Sequence, residues 1–316
     1  MAAGVITVFG GSGFIGRYIV QRLAQRGWTV RVAVRRPDRA LFLKTMGAVG
    51  QITPIAADVR SERSVTMAVD GVDAVVNLVG ILFEKGSRNF RTIHVDGAER
   101  VARLAKAAGA KTFVQISALG ADSDAAAEYA RSKAAGEVAV RRHFSDARII
   151  RPSIVFGPED GFFNKFAAMA RFAPALPLVG GGGMKFQPVY VGDVAEAIVR
   201  CVENPSTAGK TYELGGPGIF TFAELLRRTL QEIGRRRLLL PLPFGIARIQ
   251  AACLEWLPVP PLTRDQIKLL QKDNVVSPGA LTLADLGIQA QGLDAILPTY
   301  LARYRPGGRI GRRIHI

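Results

Sequence analysis

The chain is poor in cysteine: Cys201 and Cys253 are the only two in 316 residues. They stand far apart, at no metal or redox spacing. A disulfide framework and a thiolate metal site are therefore excluded, and a reducing compartment is implied. Histidine is nearly as scarce, and His94, His143 and His315 are scattered, so no metal is expected. Acidic residues are short as well, 26 Asp and Glu against 42 Lys and Arg, which leaves a formal net charge of +16. Such an excess attracts something anionic: a nucleotide phosphate, nucleic acid, acidic lipid headgroups or an acidic protein. No recognition helix or basic-aromatic module accompanies the charge, so nucleic acid is not expected. No uncharged apolar run is long enough to span a bilayer. The first strand begins at Val5, which leaves no room for a signal or transit peptide and points to a soluble or peripheral protein in the cytoplasm.

What is present is regular. Hydrophobic residues make up 48% of the chain, enough for a large core, and this length suits an α/β domain with a smaller lobe. Short apolar runs at 5–9, 28–34, 73–79, 112–117 and 148–152, with a third strand ending at Ala57-Asp58, read as buried strands. Helical spacing recurs between them, at 14–26, around 38–47, and at 61–69, 90–109 and 126–142. This alternation predicts βαβ units and a doubly wound parallel sheet. The second half is less regular. Four glycines at 180–183 mark a loop, 186–191 a strand, 194–202 a helix, 211–214 a strand and 221–233 a helix.

The first strand passes into the first helix through Gly10-Gly11-Ser12-Gly13-Phe14-Ile15-Gly16. One glycine permits a tight turn, a second lets backbone approach a pyrophosphate, and a third lets helix pack on strand. The helix N-terminus then offers N–H groups and a positive dipole end to the phosphates. A dinucleotide site of the Rossmann type follows. NAD binders place an acid at the end of the second strand. Here that place holds Arg35 and Arg36, and Arg17 follows the last glycine. Guanidinium groups suit a 2′-phosphate, so NADPH is the expected cofactor. Asp58-Val59 stands where adenine would lie, and Val79-Gly80 beside the ribose.

Tyr129 and Lys133 are four residues apart after the fifth strand, on one helix face. An ammonium there would lower the tyrosine pKa and help it exchange a proton with a carbonyl, which Ser117 could polarise. Lys133 could equally hold the nicotinamide ribose.

Together with Arg151-Pro152-Ser153-Ile154-Val155-Phe156-Gly157 and Val189-Tyr190-Val191-Gly192-Asp193, these motifs resemble an extended or atypical short-chain dehydrogenase/reductase over at least residues 4–215. The resemblance implies that Pro152 and Ile154 line the nicotinamide end of the cleft. His94 departs from it, standing where many relatives carry Asn. A narrower resemblance rests on Tyr129 through Glu137, on Gly157-Pro158-Glu159-Asp160 with Phe163-Asn164, and on Tyr300 through Arg309. These segments are similar to the NADPH-binding accessory subunits of respiratory complex I, NADH:ubiquinone oxidoreductase. That likeness implies a tightly held nucleotide without turnover and a seat beside the quinone-binding junction of the peripheral and membrane arms. It also implies the other complex I subunits as partners and, with no leader, a bacterial member on the cytoplasmic face of the inner membrane. The rival expectation is a free NADPH-dependent reductase or epimerase acting on an apolar carbonyl, with Tyr129 as acid/base, Lys133 tuning it and Ser117 polarising.

From Arg235-Arg236-Arg237 the chain turns basic and apolar. Residues 244–257 read as a helix with a narrow polar stripe through Arg248 and Glu255, its circumference otherwise covered by Phe244, Ile246, Ile249, Cys253, Trp256 and Leu257. Arginines beside such a helix suit acidic lipid headgroups or a partner protein; covering a substrate pocket is the plainer alternative. The tail carries Arg303, Arg305, Arg309, Arg312 and Arg313 and no acid. The expected division is a dinucleotide domain over 1–155, completed by about 186–216, and a smaller α/β lobe over 156–316 that docks on partners.

Overall fold

Apolar strands and amphipathic helices alternate through the first half, and the strands assemble into a seven-stranded sheet, parallel throughout. The computed structural model describes residues 4–257 and 260–308. The elements run β1 (Val5–Phe9), α1 (Phe14–Gln25), β2 (Thr29–Val34), β3 (Ile52–Ala56), α2 (Glu62–Val69) and β4 (Ala74–Asn77). They continue with α3 (Asp96–Ala107), β5 (Thr112–Ile116), α4 (Glu128–His143) and β6 (Arg148–Pro152). After an excursion through β7 (Val155–Phe156), α5 (Phe163–Phe172), β8 (Ala175–Val179), β9 (Lys185–Phe186) and β10 (Val189–Tyr190), the chain returns with α6 (Val191–Glu203) and β11 (Thr211–Leu214). It leaves again through β12 (Phe220–Thr221), α7 (Phe222–Glu232), β13 (Leu238–Leu242), α8 (Phe244–Leu254), α9 (Arg264–Leu269) and α10 (Leu293–Leu301).

Two units result. The first holds the residues up to Pro152, Gly192–Leu214 and Pro278–Ile288; the second holds Ser153–Val191, Gly215–Ser277 and the residues from Gln289 on.

In the first unit the strand order is β11-β6-β5-β4-β1-β2-β3. Strand order reverses between β4 and β1, and a ligand crevice opens at the carboxyl ends of strands at such a point. Alternate residues feed opposite faces. Phe9, Ala33, Val75, Phe113 and Ile149 pack with α2, α3 and α4 through Val65, Val101 and Val140. Val8 and Val32 point the other way, toward Val20 of α1.

Several elements differ from the periodicity. The segment around 38–47 is a 3-10 helix, Pro37–Met46, with proline at its start. The helix expected from residue 90 opens with a π-helical turn, Arg91–Val95, before α3. The single strand expected at 186–191 is two short ones, and the helix at 244–257 stops at Leu254.

The second unit is built around Phe156, Phe163, Leu176, Phe186, Phe222, Leu226, Leu297 and Tyr300. Its α7 starts on a capping box, with Thr221 and Glu224 each bonding the other's backbone N–H. At its centre Asp160, 4% exposed, accepts hydrogen bonds from the Tyr300 hydroxyl (2.5 Å) and from the backbone N–H groups of Phe162 (2.9 Å), Asn164 (3.2 Å) and Gly157 (3.3 Å). Arg303 adds hydrogen bonds to the Asn164 side chain and the Pro158 carbonyl. Two motif segments remote in sequence are thus tied together within one unit.

In the basic-apolar stretch, Ala247 and Ala251 are buried while Leu238, Leu240, Ile246, Ile249, Trp256 and Leu257 are exposed, Trp256 at 91%. The polar stripe is partly spent internally, since Glu255 pairs with Arg264. Arg303 and Arg305 are tied down, the latter by Glu232. Arg309, Arg312 and Arg313 lie outside the described residues.

Candidate functional site

The glycine turn leaves β1 at the switch point. Gly10 has φ +77°, a left-handed conformation that favours glycine, and its N–H bonds the Ala33 carbonyl at 3.0 Å. A Cβ on Gly16 would come within 2.6 Å of the Gly10 oxygen, and one on Gly11 within 3.2 Å of Val32, Val20 and Val8 alike. The turn can therefore hug the helix only with hydrogen at these places. No side chain caps α1 and no acid stands in its first turn, so its N-terminus is left suited to an anion. Gly13 is exposed, while Ser12, Phe14 and Ile15 are half-buried around that end.

Arg35 and Arg36 leave β2 exposed. Arg36 pairs with Asp38 at 3.2 Å, an acid just beyond the strand end. Arg17 lies with its guanidinium 5.2 Å from the Phe42 ring. Asp58 is held in a two-point pair by Arg60 (3.0 and 2.7 Å), and that hydrogen-bonded partner keeps its carboxyl below the usual range. Val59 is buried, and its carbonyl accepts from Arg100 at 2.7 Å.

At the exit of β4, the Asn77 amide oxygen accepts the Val79 N–H (3.2 Å) while its nitrogen donates to Gln115 (2.9 Å). Gln115 in turn donates to the Ile116 carbonyl (2.8 Å), a buried amide ladder that shapes the loop. Val79 is half-buried and Gly80 exposed. A Cβ on Gly80 would stand 3.1 Å from the Lys133 ammonium and 3.5 Å from His94 Nε2.

Lys133, 7% exposed, lies on α4 with its ammonium 5.8 Å from the Tyr129 ring centre. Burial lowers its pKa to about 8, with Glu137 opposing. Tyr129 does not follow the expectation of an acidified phenol: burial raises its pKa to about 12. Desolvation is the cause, while the Lys133 ammonium sits by the ring. At neutral pH Tyr129 is thus a hydrogen-bond donor and not a ready base. Ser117, after β5, is 5% exposed, and its hydroxyl has no hydrogen-bond partner among the described residues. A buried hydroxyl left so is what a bound ligand would satisfy. With the glycine turn, it makes this edge fit a dinucleotide. Pro152 ends β6 buried opposite Leu214. Ile154 belongs to the second unit, packed against its core.

Two features carry no assignment from sequence. Arg151 grips Glu137 of α4 at two points (2.9 and 2.7 Å) and reaches Glu213 at 3.4 Å. His94 is 3% exposed on the π turn, stacked on Phe90 (5.4 Å) with Tyr129 edge-on (5.5 Å). Burial, and secondarily Lys133, lowers its pKa to about 2, so it is neutral. The sequence signal for such residues is a polar side chain inside an otherwise apolar strand or helix face.

Against known proteins, the NAD dependent epimerase/dehydratase family matches residues 6–215. The chain is 39% identical to NADH dehydrogenase (ubiquinone) 1 alpha subcomplex subunit 9 of Arabidopsis thaliana mitochondria, over 96% of this chain and 79% of that protein. It is 29% identical to a ceramide reductase of Caulobacter vibrioides, over 77% of this chain and 74% of that one. Its fold is like that of Pal from Bacillus thuringiensis, with TM-score 0.73, 17% identity, and coverage of 94% and 98%.

Proposed function

Because the chain belongs to the NAD dependent epimerase/dehydratase family, we propose that it holds NADPH as a structural ligand and serves as an accessory subunit of NADH:ubiquinone oxidoreductase. The observation that carries this reading is the near end-to-end likeness to a subunit of that enzyme. Gly10, Ser12, Gly13, Phe14, Ile15, Gly16 and the start of α1 would receive the pyrophosphate. Arg17, Arg35 and Arg36 would meet the 2′-phosphate, Asp58 and Val59 the adenine, and Val79, Gly80, Lys133 and Tyr129 the nicotinamide ribose. A ligand that binds only the folded state stabilises it, by about 2.7 kcal/mol at a hundredfold excess over Kd.

The second unit would dock beside the junction of the two arms. Its exposed apolar residues and Arg235, Arg236 and Arg248 would face a partner subunit or acidic headgroups. The setting we infer is the cytoplasmic face of a bacterial inner membrane, with the chain peripheral. No helix among the described residues is long and apolar enough to cross a membrane.

Gentle-detergent purification of the tagged protein from its native membranes tests the assembly. Stoichiometric recovery of the oxidoreductase subunits is expected; a free soluble protein would overturn it. Changing Arg35 and Arg36 together to Ala should weaken NADPH on the order of thirtyfold, the worth of one or two charged hydrogen bonds. NADH affinity should barely move in the same titration, and equal losses would remove the 2′-phosphate reading.

A second reading rests on the intact Tyr129 and Lys133 pair and on the ceramide reductase relative. Bound NADPH would supply hydride to a carbonyl carbon, and Tyr129, protonated at neutral pH, would donate to the carbonyl oxygen. This reading predicts NADPH oxidation dependent on a lipid-like ketone, lost at least about a hundredfold in Tyr129→Phe. The accessory-subunit reading predicts no such turnover in the wild-type chain.

A further inference from the structure

We infer that His94 is a positioning residue for the nicotinamide half of the dinucleotide site: in its Nδ1–H tautomer it ties the loop Val79-Gly80-Ile81 to helix α4 at Ser132, next to Lys133. The inference rests on the dinucleotide reading above.

Two hydrogen bonds set the tautomer independently. The Ile81 backbone N–H points at His94 Nε2, 3.0 Å away, and a backbone amide can only donate, so Nε2 is the unprotonated acceptor. On the other side Nδ1 lies 2.9 Å from Ser132 Oγ. The Ser132 hydroxyl has one proton, which goes to the Tyr129 carbonyl at 2.7 Å. Toward the histidine that oxygen must accept, so Nδ1 carries the hydrogen. The chain of donors runs one way, from Ile81 through the ring and Ser132 to the backbone of α4.

The ring cannot easily turn. Phe90 stacks on it and the Tyr129 ring abuts it. Its backbone is held as well, because α4 crosses so close that a Cβ on Gly136 would lie 2.1 Å from the His94 carbonyl oxygen. Gly80 packs close to both His94 and Lys133, since a Cβ there would lie 3.1 Å from the Lys133 ammonium and 3.5 Å from His94 Nε2. By holding the Ile81 N–H, the imidazole fixes the neighbouring Gly80 peptide beside Lys133, the place where a ribose would be gripped. The ring is carried on the π turn Arg91–Val95, a feature found frequently at functional sites.

The test uses the full chain without nucleotide first. Nitrogen-15 spectra of labelled histidine should show His94 with Nδ1 protonated and Nε2 bare, and the Ile81 amide should exchange slowly with solvent. His94→Gln, whose side-chain oxygen reaches where Nε2 stood, should keep Ile81 protected and NADPH affinity within about threefold. His94→Phe keeps an aromatic ring, somewhat larger, but no acceptor. It should lose Ile81 protection and weaken NADPH on the order of tenfold, with Val5–Phe9 amides as protected as before. An Nε2-protonated ring, an unprotected Ile81 in the wild type, or a Phe variant that binds NADPH undiminished would each overturn the assignment. A wild type that binds neither NADPH nor NADH would instead sink the dinucleotide reading, and the spectra and exchange rates would still judge the anchor.

Discussion

Gly136→Ala should destabilise the first unit by on the order of 3 kcal/mol, although glycine to alanine inside a helix ordinarily stabilises by about 1 kcal/mol. The reason is the crossing of α4 over the π turn. The new methyl would need the space of a backbone oxygen 2.1 Å away, and neither backbone can yield without moving a helix. Since α4 carries Tyr129, Ser132 and Lys133, the damage reaches the site as well as the fold. A methyl added at Gly245, in α8, would meet nothing within 4 Å, so Gly245→Ala should be neutral or stabilising. Urea titrations should show Gly136→Ala unfolding at lower denaturant than wild type and Gly245→Ala at the same or higher. A Gly136→Ala protein as stable as wild type would mean that the helices do not cross so closely.

The second large effect is expected at Asp160. Asp160→Ala should cost the second unit about 3 kcal/mol or more. It strands a buried Tyr300 hydroxyl and three backbone N–H groups at once. Tyr300→Phe should cost less, roughly 1–2 kcal/mol, because the carboxylate keeps its backbone donors. Burial raises the Asp160 pKa in spite of those donors, so the site has little electrostatic surplus to lose gradually. Limited proteolysis with mass spectrometry should show the new cuts of Asp160→Ala between residues 153 and 191 or after 289, with the strands of the parallel sheet intact. Equal stability of Asp160→Ala and wild type would remove the hub.

The parallel sheet is legible in the sequence because its strands are buried on both faces and read as continuous Val, Ile and Phe runs. The glycine turn is legible because close backbone approach admits no substitute. Strands β8 and β13 are not. They pair in parallel, Leu240 opposite Pro177 and Pro241 opposite Leu178, and proline inside a run argues against a strand. A two-stranded ribbon has free edges on which a missing N–H costs nothing, so here the rule misleads. The π turn has no signature in apolar spacing, since it inserts one residue into a pattern that stays amphipathic. The Tyr129 pKa moves opposite to the sequence expectation because sequence shows which charges are near in number but not how much water each group has lost. The Asp160–Tyr300 pair is invisible for a simpler reason: 140 residues separate the partners.

The first unit is not finished in the order in which it is made. Strand β6 gains its outer neighbour β11 only when residues 211–214 appear, and Leu281 bridges Tyr212 later still. On a ribosome adding about 5–20 residues per second, the backbone of Ile149 and Ile150 waits for several seconds as an unpaired apolar edge. Such an edge is a template for any other extended chain nearby. The emerging polypeptide therefore needs a holding chaperone between the synthesis of β6 and that of β11, and slowing synthesis at low temperature shortens no part of that interval. Raising chaperone supply should rescue soluble yield where cooling alone does not.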